Sequence, residues 1–353
     1  MLERIKPNIL ITTAAFVLIV AGLRVASPII IPLLLATFIA VVAAPLQFWL
    51  RSKGVPTILA LLIIITMVLL IVFIVIALIS SSLGDFSSNL PLYQKQLKEK
   101  VDVVHIWVET FGFNIETDQF YEAFNPNNAM KLVTKMLAGL SGVMKNSFLI
   151  LITVIFILLE AAGFPAKIRA IVADPSQSLP FFDKFIHNIQ RYMALKTIIS
   201  IGTGILVSIF LAMLGVDFAL LWGLVAFLMN YIPNIGSILA AIPAVILAFI
   251  QFGGGTALIT IGGYAAINIT IGNFLEPRIM GKGLGLSTLV VFLSLIFWGW
   301  VFGPVGMLLS VPLTMTLKIA LDSNDNTRWI ALLLGSSAEG SAASDIQIDT
   351  RNE

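Results

Sequence analysis

Apolar runs of about 20 residues follow one another along this chain, separated by short polar breaks, as in helices that cross a bilayer. The first covers residues 8–23, after Arg4 and Lys6. It has the length of a secretory leader, but no small-residue cleavage site follows and a second run begins at once. It is therefore read as an uncleaved first helix. Further runs cover 29–49, 57–79 and 148–163. After Lys196 the chain is almost continuously apolar to Leu321.

Two polar stretches interrupt this pattern. In 84–146, Leu97, Val101, Val104, Val108 and Phe111 recur at spacings of four and three, one stripe on a helix. Asn125 and Pro126 have the character of an N-cap and first helical residue. Val133, Met136, Leu140 and Val143 form a second stripe beyond them. Both stripes need an apolar cover, which the bilayer surface or a neighbouring subunit would supply. In 164–196 the stripe is Phe182, Phe185, Ile189 and Tyr192 with Met193.

The expected fold is an all-α polytopic membrane protein with about eight passes, or up to ten apolar runs if every hairpin spans. The organisation reads as N-terminal transmembrane helices (1–83), an extracytoplasmic helical segment (84–146), a fourth span (147–163) and a cytoplasmic amphipathic helix (164–196). A C-terminal transport core (197–321) and a cytoplasmic tail (322–353), disordered from about 335, complete it.

Composition agrees. The 353 residues are 58% hydrophobic and only 11% charged, against about 25% charged in an ordinary globular domain. A net charge of +2 points to no nucleic-acid partner. There is no cysteine, so disulfides and thiol chemistry are excluded. His105 and His187 lie far apart and suggest no metal site; no cofactor is expected. With the N-terminus in the cytoplasm, the short cytoplasmic segments hold Arg4, Lys6, Arg51, Lys53, Lys167 and Arg169. Lys184, Arg191, Lys196, Arg278 and Lys282 also fall there, whereas the short external loops hold only Arg24. The positive-inside rule thus puts both termini in the cytoplasm; the long 84–146 segment is exempt.

The runs after residue 215 are short. Residues 218–231 make roughly 20 Å of helix against a hydrocarbon core of about 30 Å. Residues 288–302 are barely longer. Each is followed by a Pro/Gly corner (Pro233-Asn234-Ile235-Gly236, Gly303-Pro304-Val305-Gly306) and a further proline, Pro243 or Pro312. Interrupted segments in corresponding positions point to a transport site, because bent backbone at membrane depth must be buried in protein or line a cavity. The expected pathway is 216–252 and 288–320, as full or re-entrant hairpins.

Asn230 and Asn234 flank Pro233, which frees a carbonyl at the corner. Amides and freed carbonyls suit a polyhydroxylated solute or a cation, though the asparagines also serve as turn caps. Glu276 precedes Pro277, so the helix from Thr256 is expected to end there. Glu276 is a candidate proton or ion site, or an interfacial acid beside Arg278, which pairs with it only across elements or subunits. Asp217 and Glu160 are acids of the same kind, nearer predicted ends. Asn268 and Asn273 are expected to face protein, since lipid-facing amides are costly. Trp298 and Trp300 line a passage or sit in an interfacial belt. The Gly281–Gly285 run lacks the strand and the Lys-Ser/Thr ending of a phosphate loop, so ATP is not expected.

Residues 273–318 carry Glu276-Pro277, Gly281, Ser294-Leu295, Trp298, Gly303/Gly306 and Pro312-Leu313, and YIPNIGSILAAIP occurs upstream. This set resembles the autoinducer-2 exporter family over about residues 1–330. The resemblance implies a polytopic bacterial inner-membrane transporter, not an enzyme, forming homo-oligomers, of pentameric kind. It further implies export of a small polar signal, while some members of that family are associated with sodium/proton exchange. Three activities stay open: secondary export, cation/proton antiport, and a passive channel through the oligomer.

Overall fold

The computed structural model describes residues 9–110, 131, 134, 146–161, 175–233, 235–280, 286–323 and 327–335. All regular structure among them is helical. In chain order the helices are α1 (Ile9–Val25), α2 (Ser27–Ser52), α3 (Thr57–Thr110), α4 (Ser147–Ala161), α5 (Pro175–Met213), α6 (Ala219–Met229), α7 (Ile235–Phe252) and α8 (Gly254–Asn268). A π-helical stretch Ile269–Leu275 leads into α9 (Glu276–Met280), followed by α10 (Thr288–Leu308), α11 (Ser310–Asp322) and α12 (Arg328–Leu334). Among the described residues six segments are long and apolar enough to cross a membrane, and Thr13–Val25 of α1, α4 and α6 are shorter apolar helices.

The chain forms two compact units. One contains residues 1–41, 152–170 and 283–353; the other contains 42–151 and 171–282.

In the second unit, α3 is one helix of 54 residues, about 81 Å long. The expected break after residue 79 does not occur. The Ser81 and Ser88 hydroxyls donate to carbonyls three residues back, so these polar residues are accommodated within the helix. Ile79, Phe86, Tyr93, Leu97 and Val101 form one buried stripe along it. They pack on Val207 and Leu211 of α5, Leu221 and Trp222 of α6, and Leu247 of α7. Leu97 and Val101 are thus covered by the chain's own helices. The side chains of Val104 and Val108, and Phe111, lie outside the described residues, as do the 133–143 stripe, Asn125 and Pro126.

The polar stretch before Lys196 and the apolar run after it are likewise one helix, α5. It approaches α6 closely: a Cβ on Gly223 would overlap Ser208 Oγ and the Gly204 carbonyl. Small residues at such a crossing let two backbones meet, the usual device where helices pack within lipid.

In the first unit, Val20 of α1 packs on Val301 and Phe302 of α10. Arg24, in the last turn of α1, lies 4.3 Å over the Trp300 ring. Ser287 caps α10, its hydroxyl accepting from the Val290 amide, and its own amide donates to the Leu334 carbonyl of α12. The tail from residue 336 lies outside the described residues.

Candidate transport site

The first Pro/Gly corner is built at the junction of α6 and α7. The Asn230 backbone amide still donates to Ala226, closing α6, and the Ile235 amide donates to the Pro233 carbonyl. Tyr231 and Ile232 are buried. Gly236 is required here, because a Cβ would overlap the Met229 carbonyl that ends α6. Asn230 Nδ2 donates to Ser200 Oγ at 2.9 Å, and the Tyr231 hydroxyl donates to Thr197 Oγ1 at 2.7 Å. These bonds hold the corner beside residues 197–200 of α5, about 20 Å along that helix from Met213. Asn234 lies outside the described residues.

Between α5, α6, α7 and α8 lies a crevice lined by Thr203, Val207, Ala226, Asn230, Ser237, Ala240, Tyr264 and Asn268. It is narrow, with no room for a water molecule. Two of the residues singled out from the sequence, Asn230 and Asn268, meet in it. Asn268 sits where α8 gives way to the π-helical stretch. π turns inside helices occur frequently at functional sites.

That stretch also corrects the expected end of the helix. Helical backbone continues through Glu276 and Pro277 to Met280. The Glu276 amide donates five residues back to Ile271. This wider register precedes the proline, so the chain enters Pro277 from helical geometry instead of stopping there.

Within the chain Glu276 does not pair with Arg278, which is exposed. It accepts from Lys196 Nζ at 2.6 Å, and the two side chains are 23% and 5% exposed. Tyr192, buried one turn before Lys196, lies within the field of the Glu276 charge. Lys196, Ser200 and Thr203 follow at spacings of four and three, on one face of α5. A polar track therefore runs about 10 Å from the ion pair to the crevice.

Asn273 is exposed on the surface of the single chain. Asp217 belongs to the other end of α5. Its carboxylate accepts from the Tyr93 hydroxyl at 2.8 Å, its amide donates to Gln251 Oε1, and its carbonyl accepts from Trp222 Nε1. These bonds make it a clasp for the left-handed turn at Phe218 (φ 60).

The second corner stands in the first unit. Gly303 (φ 66) breaks α10 before Pro304, in a conformation that favours glycine. A Cβ on Gly306 would overlap the Trp298 carbonyl, as one on Gly236 would the Met229 carbonyl. Trp298 stacks on Phe302, and its Nε1 donates to Thr314 Oγ1 at 3.0 Å, so it braces this corner. Trp300 is exposed. Gly281–Gly285 lies outside the described residues.

A family model for AI-2E family transporters matches residues 13–325. The chain belongs to the AI-2E transporter family. Its AI-2E relatives include the AI-2 transport protein TqsA of Escherichia coli, 44% identical over 327 residues, 93% of this chain and 95% of TqsA. YhhT of the same bacterium is 37% identical over 329 residues, 93% and 94% of the two chains. A Haemophilus influenzae relative is 40% identical over 332 residues, 92% and 95%. The last two are provisionally described as transport proteins, with no solute named. Membership makes this a multi-pass bacterial membrane transporter and not an enzyme.

Within that AI-2E frame, the sequence missed Lys196 as a site residue, along with Thr203, Ser237 and Tyr264. A signal existed: Thr260, Tyr264 and Asn268 repeat at four residues, and Lys196, Ser200 and Thr203 at four and three, on otherwise apolar helices.

Proposed function

We propose that this AI-2E protein is a secondary transporter that exports a small polar signal such as autoinducer-2 across the bacterial inner membrane, without ATP. The observation that carries this reading is the meeting of Asn230, at a broken-helix corner, with Asn268, at a π turn, in one crevice among apolar helices. Asn230 and Asn268 are half-buried, and amides among apolar helices are expensive unless they serve a hydrogen-bonding purpose. The relative TqsA, named for AI-2 transport, supports the choice of solute. Both termini lie in the cytoplasm on this reading, following the basic residues. The transporter is a homo-oligomer, pentameric by family resemblance. The exposed Asn273 and Thr270 on an apolar span favour a protein neighbour there, because amides facing lipid are costly. Vesicles containing the purified protein should carry labelled autoinducer-2 without ATP; flux no greater than in empty vesicles removes the proposal.

A second reading, cation/proton exchange, draws on the Lys196–Glu276 pair, a carboxylate held in the membrane-spanning region by one ammonium. A sodium-induced pH change in vesicles, lost in Glu276→Gln, would favour it. Its absence at every salt concentration removes it.

A further inference from the structure

Tyr264 is 3% exposed, yet its hydroxyl has no hydrogen-bond partner among the described residues. A buried hydroxyl left unpaired is costly, and folded proteins keep few of them. Tyr264 lines the crevice from α8, with Asn268 one turn further along the same face. Other polar groups there are already committed: Thr203 donates to the Ile199 carbonyl and Asn230 to Ser200. Ser237 and Asn268 make no side-chain hydrogen bond among the described residues. A phenol, a serine hydroxyl and an amide therefore line one crevice with bonding capacity unspent. None of the lining residues is charged. An organic anion would meet no cation there, and a cation no carboxylate.

We infer that Tyr264, Ser237 and Asn268 are the solute-recognition groups, and that their ligand is a small uncharged molecule carrying several hydroxyls. This rests on the transporter reading above and names the solute class of its site. A hydroxyl both donates and accepts, so one polyol satisfies all three groups together. A site built to bond substrate hydroxyls discriminates strongly against ligands that leave its polar groups unpaired. The crevice has no room for water, so entry requires α8 to move away from α5. The Phe210 ring of α5 fills the space left by Gly263 of α8, next to Tyr264, and is part of the packing that such a movement would have to break.

The test uses the full chain in two assays. Equilibrium binding in detergent and flux into proteoliposomes are measured with labelled autoinducer-2 and xylitol, with xylonate and with sodium. The wild type is expected to bind and carry at least one of the two polyols, with xylonate and sodium at background. Tyr264→Phe keeps the ring and removes the hydroxyl. It is expected to raise the polyol Kd and KM about tenfold, the scale of one missing hydrogen bond, with a melting temperature equal to or above that of the wild type. Asn268→Leu should do the same and serves where Tyr264→Phe folds poorly. Equal constants in wild type and both variants overturn the assignment, as does binding of xylonate or sodium on a par with the polyols, or binding of neither polyol. Polyol binding that depends on Tyr264 without any flux leaves the site standing and ends the transporter reading. Polyol flux with an unchanged KM in both variants does the reverse.

Discussion

Lys196 of α5 and Glu276, the first residue after the π-helical stretch, are joined at 2.6 Å across 80 positions of sequence. The ammonium is almost wholly buried and the carboxylate keeps about a quarter of its exposure. A buried charge whose partner is removed is penalised far more than the pair is worth. Glu276→Gln or Lys196→Met alone should therefore cost about 2–4 kcal/mol, below the full value of about 3–5 because Glu276 is partly exposed. The double variant Lys196→Met/Glu276→Gln should cost less than the two single losses added together. Unfolding transitions of the purified proteins check it; single and double variants destabilised additively would show that the two groups do not act on each other.

The asparagines divide by position. Asn230 and Asn268 line the crevice, whereas Asn273 is exposed on the same span. Asn268→Ala should raise the KM for solute about tenfold, the effect of deleting one hydrogen-bonding group from a desolvated site, and Asn230→Ala, whose amide already bonds Ser200, should raise it less. Asn230→Ala should also lower the melting temperature, since it releases Ser200. Asn273→Ala should leave KM alone and weaken the oligomer if that face meets another subunit. Flux kinetics and size analysis separate these outcomes; an Asn273 variant with the largest KM effect would contradict the placement of the site.

The class of fold was legible because hydrophobic runs of membrane length need no tertiary information to be recognised. The two corners were legible for a similar reason, since Pro233, Gly236, Gly303 and Pro304 act locally on the backbone. What could not be read was how distant segments satisfy one another. The residues from 84 onward looked like an interruption because their polar composition argues against extending an apolar span through them. The stripe from Ile79 to Val101 overrides that composition through packing on α5–α7. Pro277 looked like a terminus for the same local reason, and the π register ahead of it was not visible in composition. Lys196 read as an end marker because its partner lies 80 residues away. Asp217 read as a free acid because its partners, Tyr93 and Gln251, come from α3 and α7.

The Tyr93–Asp217 bond should matter for stability and not for transport. It fastens the long α3 helix to the α5–α6 turn, well away from the crevice. Asp217 is exposed, so the bond is worth about 1 kcal/mol or less after solvent screening. Tyr93→Phe and Asp217→Asn should each lower the melting temperature slightly and leave solute flux per folded protein unchanged. A flux abolished in Asp217→Asn without loss of stability would restore Asp217 as a coupling residue.

The two corners share one geometric requirement, which alanine substitution isolates. A Cβ at position 236 or 306 overlaps the carbonyl that closes the preceding limb, Met229 or Trp298, and a backbone carbonyl cannot rotate aside as a side chain can. Gly272 lies on the π-helical stretch with open space around its Cα. Gly236→Ala and Gly306→Ala should each cost about 1–3 kcal/mol, the range for forcing a group into packed structure. Gly272→Ala should be neutral or slightly stabilising, because alanine loses less conformational freedom in a helix. The size of the loss does not distinguish a structural corner from a moving one; transport does. If solute passes beside the α6–α7 corner, Gly236→Ala protein that remains folded at low temperature should carry solute at least tenfold more slowly, since the displaced corner moves Asn230 within the crevice. Melting curves and flux on the same preparations decide it: normal flux through a destabilised Gly236→Ala protein would mean that the corner supports the fold without touching the route.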